Sequence, residues 1–472
     1  MSLNVLNCSP AHRSLNYFFV LGGGPSSLLL AYILHGHIPY YAGGHRDSIL
    51  DTKLRKLPNL LYITPDTWSH FPGDIRYATH ALPINVLLDT LVRPDADTEI
   101  NPDSCIKWNY EPEHAVSHLV LGSAERPGGV WVQSSASPID NIGTLSYAEM
   151  LSLPGYTFAD HYMHINGCPL PELDRPTRGE TAAYYAAYPQ AVGILDTIAM
   201  DSLVSSIYRE TDGFRIQPAN VFCEKLVLAT GIFDHIITPT LPISLIAKCN
   251  MTDLPLLVIG SGYSAADAII SCPPSRKIIH LYRWDPVNKP SPLKGCHRQA
   301  YPEYAGVYRQ MKAATLRNSH TIQLTSPLAR KRGNPFFRLR DWDSIYEGLP
   351  NATVEAVEIH GSCAHVKIRL EGDKTEDRIV GALEYLVGRR GSLNYLDTQL
   401  RSEVMPGSKV EFEPSKEGVM VSSRTLRVKA EVNMEVAPSV FITGSLTGDS
   451  LVRHTFGSCV YAASKILGVN SG

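Results

Sequence analysis

The reading of this chain turns on Tyr17-Phe18-Phe19-Val20-Leu21-Gly22-Gly23-Gly24-Pro25-Ser26-Ser27-Leu28-Leu29-Leu30-Ala31-Tyr32-Ile33-Leu34. A short apolar run meets a cluster of glycines, and an apolar stretch of helical length follows. Such a run reads as a strand buried on both faces of a parallel sheet. The glycines and Pro25 would break a membrane helix, and the run lacks the basic leader of a secretory signal. Strand, turn and helix account for every residue in it.

The same order recurs further on. Leu254-Pro255-Leu256-Leu257-Val258-Ile259 leads into Gly260-Ser261-Gly262-Tyr263-Ser264-Ala265 and then Ala266-Asp267-Ala268-Ile269-Ile270. The chemistry that needs this pattern is the binding of a dinucleotide. A pyrophosphate carries negative charge, and a helix N-terminus offers free N–H groups and the positive end of a dipole. The turn must lack side chains for the phosphates to come close. Gly22 and Gly24 supply this in the first unit, and Gly260 and Gly262 in the second. The third glycine of the fingerprint is replaced by Ser27 and by Ala265, both small enough for close helix–strand packing.

The residue at the end of the next strand reports which nucleotide is held, because an acid there would bind ribose hydroxyls. After the second turn the strand Lys277-Ile278-Ile279-His280-Leu281-Tyr282 ends in Arg283, suited to the 2′-phosphate of NADPH through a charge-assisted bond. After the first turn the reading takes Ile38-Pro39-Tyr40-Tyr41 as the next strand. No acid ends it, which leaves His45 or Asp47 to meet the ribose. Between the two units, Arg126-Pro127-Gly128-Gly129-Val130-Trp131 places bare backbone beside a flat ring, as a flavin edge requires. Gln133 follows as a polar group within reach of flavin or substrate.

Composition excludes other classes. The 472 residues, 44% apolar and 19% charged with formal net charge −3, describe a globular chain of two or three domains. The charge balance offers neither a basic field for nucleic acid nor a polybasic membrane patch. The cysteines are scattered with no pair separated by two residues, which removes redox-pair and zinc spacings and suits a reducing compartment. No histidine spacing suggests a metal, and His114, His118, His235 and His454 read as structural. A soluble, cytoplasmic protein without a membrane span is expected. Other strands are read at Lys225–Ala229, Val366–Leu370 and Ser439–Gly444, and the stretch 285–348 as an insertion or cap.

Taken in order, Gly22-Gly23-Gly24-Pro25-Ser26, Gly128-Gly129-Val130-Trp131, Leu228-Ala229-Thr230-Gly231 and Gly260-Ser261-Gly262-Tyr263-Ser264-Ala265 resemble class B flavin-containing monooxygenases. Leu91-Val92-Arg93-Pro94-Asp95, His118–Gly122, Val227–Asp234, Tyr301-Pro302-Glu303-Tyr304 and Leu446–Arg453 are more similar to the oxidative-stress-induced growth inhibitor family. That family is a branch related to those enzymes and to the amine N-hydroxylating monooxygenases. The pieces span nearly the whole chain.

The resemblance implies an α/β flavoprotein with two Rossmann-like dinucleotide-binding domains in the three-layer ββα/αβα arrangement. An NADPH domain at 246–380 would be inserted into an FAD domain formed by 1–245 and 381–472. It implies that Gly22, Gly24, Pro25 and Ser26 sit at the FAD pyrophosphate, with Gly128, Gly129 and Trp131 near the flavin. Thr230 and Gly231 would mark the exit from the FAD domain. Gly260, Gly262, Tyr263, Ser264 and Arg283 would hold NADPH. Asp449, Phe456 and Gly457 would close over the flavin.

Trp131 and Gln133 are the residues placed nearest the chemistry. The implied activity is an NADPH-using monooxygenase that works through a flavin C4a-hydroperoxide and transfers oxygen to a small soft nucleophile such as an amine, or to a ketone. Val387-Gly388-Arg389-Arg390 departs from the family's second Ala-Thr-Gly element. An NADPH oxidase or flavin reductase, and a non-catalytic regulatory flavoprotein, stand as alternatives. Partners are a small-molecule substrate and oxygen, with self-association left open.

Overall fold

The computed structural model describes residues 17–71, 80–94, 103–132, 142–318, 340–405 and 420–468. The chain divides into two compact units. One is made of Met1–Ala136, Gly143–His235 and Arg390–Gly472, the other of Ser137–Ile142 and Ile236–Arg389. The fold is the α/β class expected: each unit is built on a parallel sheet, and the second is inserted into the sequence of the first.

In the first unit Phe18–Leu21 lies mid-sheet, buried at all four positions. It pairs in parallel with His118–Leu121 on one side and Lys225–Leu228 on the other. Beyond His118–Leu121 comes Ile198–Ala199; beyond Lys225–Leu228 come Val440–Ile442 and, antiparallel at the edge, Glu435–Ala437. The helix Pro25–Leu34 is buried from Ser26 through Leu34, because its apolar residues run all the way round it. It packs against the last helix, Phe456–Ile466.

One expectation is corrected here. The strand at His37–Tyr41 exists, but it pairs antiparallel with Ile106–Tyr110 and stays out of the six-stranded sheet. Its burial explains this: His37 and Tyr40 are half-buried, whereas a central parallel strand is covered on both faces. The strand beside Phe18–Leu21 is His118–Leu121. The chain between Leu34 and His118 is therefore an insertion, carrying the helices Ser48–Lys56 and Pro83–Val92.

The second unit has four parallel strands in the order Tyr346–Pro350, Ile278–Tyr282, Leu256–Ile259, Ala382–Tyr385. Here the strand following the turn is the one the sequence indicated. The stretch read as a cap includes the helix Pro302–Asn318 and the strand Tyr346–Pro350. Its described part is thus crossover and third strand of the sheet, not an appendage. An antiparallel meander of Thr353–His360, Cys363–Arg369 and Thr375–Val380 precedes the fourth strand. Cys363–Arg369 alternates between buried and outward positions, as its sequence period requires. Among the described residues no helix is long and apolar enough to cross a membrane.

Candidate functional site

The two glycine turns divide their labour in the same way. Gly22 has φ +118°, and a Cβ there would lie 2.4 Å from the carbonyl oxygen of Ala229. This glycine is demanded by the backbone of the neighbouring strand. Gly24 is different. Its φ of −85° and ψ of 179° suit any residue, and a Cβ would meet no protein atom within 4 Å. Neither packing nor backbone conformation asks for glycine at 24.

In the second unit Gly260 has φ +151°, and its Cβ would fall 2.3 Å from the carbonyl oxygen of Leu386. Gly262 has φ −105° and ψ −169°, and its Cβ would find only Pro292 Cγ, at 4.0 Å. Gly24 and Gly262 are the N-caps of the helices Pro25–Leu34 and Tyr263–Ser271. Neither helix has a side-chain cap or an acid in its first turn. In the first helix Pro25 has no N–H and Ser27 N donates to the Gly24 carbonyl at 3.0 Å, which leaves the Ser26 N–H. The positive dipole end of each helix faces the open space before it. A nucleotide diphosphate fits both turns.

Around the first turn the structure gathers most of the residues singled out in the sequence. Gly128 donates its N–H to the Gly23 carbonyl at 2.7 Å, and a Cβ on Gly129 would lie 2.9 Å from Gly24 Cα. Trp131, half-buried on the short turn Gly129–Trp131, has its ring centroid 6.3 Å from that of Tyr185. Ala229 and Thr230 lie against Gly22. The Thr230 hydroxyl is 2.9 Å from the hydroxyl of Tyr395, and Ser445 sits beside Gly231. Pro25 opens the helix. Ser26 is buried, with its hydroxyl where a Cβ on Gly444 would fall, so it can offer an anion its main-chain N–H rather than its side chain. Gln133 lies outside the described residues.

Asp449, Phe456 and Gly457 have protein partners of their own. The carboxylate of Asp449 accepts from Leu82 N at 2.8 Å, Asn85 Nδ2 at 2.6 Å and Arg427 Nη1 at 2.6 Å. A Cβ on Gly457 would lie 2.2 Å from the carbonyl oxygen of Ile84, so this glycine is required by the crossing of the two helices. Phe456 is buried under the guanidinium of Arg93, 5.0 Å from the ring centroid. All three contact the helix Pro83–Val92 or the residues that flank it.

His45 and Asp47 are held by protein contacts. Asp47 is buried and caps the helix Ser48–Lys56 by accepting from Ile49 N and Leu50 N, while His45 Nε2 is 3.0 Å from Thr90 Oγ1. The parallel strand on one side of Phe18–Leu21 is His118–Leu121. Gly122 stands at its end, packed against Gly23 and the Met200 side chain, and Glu125 is exposed three residues on.

In the second unit Arg283 is exposed immediately past Ile278–Tyr282, with no hydrogen bond or ion pair among the described residues. In a doubly wound sheet that strand end is where the ribose lies. Ser264 is exposed on the first helical turn. Tyr263 donates to the Pro292 carbonyl at 3.3 Å, and burial pushes its phenol up to about 12.

Sequence reasoning missed His280, which is fully buried below this turn. Its Nε2 donates to the Gly260 carbonyl at 2.6 Å, which leaves Nδ1 to accept from the Tyr346 hydroxyl at 2.8 Å. Burial lowers its pKa to about 4, so the ring is neutral. Ser291 also supports the turn, donating to the Ser261 carbonyl at 2.6 Å. A histidine inside an apolar strand and a serine in a loop carry no signal that would have announced either role.

Two parallel-sheet units, one inserted in the other's sequence and each ending a strand in a glycine turn before an uncapped helix, define the fold of FAD- and NAD(P)-binding flavoproteins. No family model matches the chain. The resemblance read from the sequence is borne out by known relatives. The chain is 25% identical to oxidative stress-induced growth inhibitor 1 of Mus musculus, over 95% of this chain and 94% of that protein. It is 28% identical to oxidative stress-induced growth inhibitor 2 of Homo sapiens, over 62% of this chain and 67% of that one.

Among solved structures it resembles a flavin-containing monooxygenase from Stenotrophomonas maltophilia, with TM-score 0.51 and 14% identity over 97% of this chain and all of that chain. It also resembles a bacillithiol disulfide reductase from Bacillus cereus, with TM-score 0.52 and 13% identity over 96% of this chain and 99% of that one. At these identities the structural likeness concerns the fold.

Proposed function

We propose that this chain is a flavin-dependent oxidoreductase that holds FAD at the Gly22–Ser26 turn and NADPH at the Gly260–Ser264 turn, and that it acts as a monooxygenase on a small soft nucleophile such as an amine, or on a ketone. The observation that carries the reading is the open space at Gly24 and Gly262. Both positions exclude a side chain for no reason internal to the protein, and both cap a helix with no side-chain cap and no acid in its first turn.

The bound flavin would supply the redox chemistry, passing electrons between NADPH and oxygen. The chain's own part is binding and positioning. Gly22 lets the turn close against Ala229, Gly24 admits the diphosphate, and the Gly128-Gly129 backbone seats against that same turn. Trp131 offers a flat apolar wall anchored beside Tyr185. In the second unit Gly262 admits the diphosphate and Arg283 offers a guanidinium to a 2′-phosphate.

The test is the absorbance spectrum of the purified full chain, as isolated and after incubation with FAD, then during anaerobic addition of NADPH. A yellow protein bleached by NADPH is expected. A colourless protein that FAD cannot restore overturns the proposal. With oxygen admitted, peroxide released per NADPH should fall when a turned-over amine or ketone is present. A ratio that stays at one across such compounds would replace monooxygenase with oxidase.

A further inference from the structure

The C-terminal end of the helix Pro83–Val92 carries a cluster of charged groups around one buried carboxylate. Asp89 is buried, and its Oδ2 is held by Arg453 through Nε at 2.8 Å and Nη2 at 2.5 Å. Arg93 is only 5% exposed. It reaches the same carboxylate at 3.3 to 3.4 Å, and the carbonyl oxygens of Glu149 and Arg453 at 3.3 and 3.4 Å. Committed charge-assisted bonds are shorter, about 2.7–2.9 Å. Both guanidiniums reach the Asp89 carboxylate, Arg453 closely and Arg93 only through long contacts.

Arg93 also forms part of the wall of a cavity of about 370 Å³. The rest of the wall is largely apolar: Val92, Ile106, Trp108, Leu153, Leu170 and Phe456. Gly155, Thr157 and Ala159 line it too and are exposed, so they mark its mouth. The ring of Phe456 lies under the guanidinium, 5.0 Å away, and fixes where it can sit. Glu149 is also on the wall, but Arg93 meets it through the main-chain oxygen.

We propose that this cavity is a binding site for a small apolar monoanion, an aryl or medium-chain alkyl carboxylate, whose charged end pairs with Arg93 while its apolar part fills the space between Trp108, Leu153 and Phe456. A buried cation short of good partners favours an anion over a neutral ligand. A single guanidinium on largely apolar walls favours one carboxylate over two. The volume is within the range of small-molecule pockets.

The experiment is calorimetric titration of the purified full chain with phenylacetate and octanoate, each paired with its amide. The acids are expected to bind at least ten-fold more tightly than the amides. Ala159→Trp, placed at the exposed mouth, should weaken acid binding at least ten-fold with the thermal midpoint unchanged. Arg93→Gln should erase the preference of acid over amide. Equal affinity for acid and amide, acid binding indifferent to Ala159→Trp, or no acid binding at millimolar concentration would each overturn the proposal. The readout does not involve flavin.

Discussion

Asn85 donates a 2.6 Å hydrogen bond from Nδ2 to Oδ2 of Asp449, 364 positions later in the chain. Its Oδ1 accepts from Ser458 N at 2.7 Å, so one fully buried amide caps the last helix and anchors the carboxylate that Arg427 also holds. Asn85→Ala would leave a buried N–H and one carboxylate oxygen short of a partner. The expected cost is about 3 kcal/mol, since bonds to charged groups and orphaned buried donors each weigh about 1–3 kcal/mol. Chemical denaturation of the FAD-free protein measures it. A loss below about 1 kcal/mol would remove Asn85 from this role.

The contrast between Gly22 and Gly24 gives the sharpest test of the nucleotide turn. Gly22→Ala forces a left-handed backbone angle on alanine and drives its Cβ into the Ala229 carbonyl. It should cost about 3 kcal/mol or more of stability. Gly24→Ala meets nothing in the protein, and stability should stay level or rise by up to about 1 kcal/mol as the unfolded chain loses freedom. FAD affinity should nevertheless fall at least ten-fold, because the diphosphate has to approach bare backbone at this position. Thermal melts of the FAD-free variants alongside FAD titrations separate the two effects. A Gly24→Ala protein that binds FAD normally would refute the assignment.

How far the sequence reached depended on whether a signal was local. Glycine turns, buried strands and apolar helices are written in adjacent residues, and Phe18–Leu34 and Leu256–Ser271 were legible for that reason. The neighbour of Phe18–Leu21 was not, because an insertion carries the chain from Leu34 away to a separate two-stranded ribbon before His118 brings it back. Distance along the chain pointed to His37–Tyr41 as the neighbouring strand, and that strand pairs with Ile106–Tyr110 instead. Gly457 was silent in another way. A glycine at a helix start suits a ligand or a crossing helix, and the crossing that places the Ile84 carbonyl 2.2 Å from a Cβ there is a long-range contact no local pattern announces.

Arg283 tests the identity of the second nucleotide. It stands exposed at the end of Ile278–Tyr282. A charge-assisted bond to a 2′-phosphate is worth about 1.5–3 kcal/mol, roughly ten- to a hundred-fold in affinity. Arg283→Ala should raise the KM for NADPH by that factor and leave the KM for NADH within about two-fold. Steady-state reduction of the FAD-loaded protein with each nucleotide measures it. Equal changes for both nucleotides would dissociate Arg283 from the phosphate.

His280 predicts how the second unit responds to acid. Its buried ring donates to the Gly260 carbonyl and accepts from Tyr346, and burial lowers its pKa from 6.5 to about 4. An unfolded chain binds the proton at the ordinary value, so between about pH 6.5 and 4 the unfolded state holds more protons and stability rises with pH. Going down in pH through that window should therefore cost the unit stability. The ceiling is about 3 kcal/mol from this group, since each pKa unit is worth about 1.4 kcal/mol. His280→Gln keeps a donor for Gly260 but cannot take a proton, so it should flatten the dependence. Denaturation followed through the fluorescence of Trp284 and Trp342, both in this unit, gives the comparison at each pH. A His280→Gln variant that loses stability with acid as steeply as the unsubstituted protein would show that the imidazole is not the group responsible.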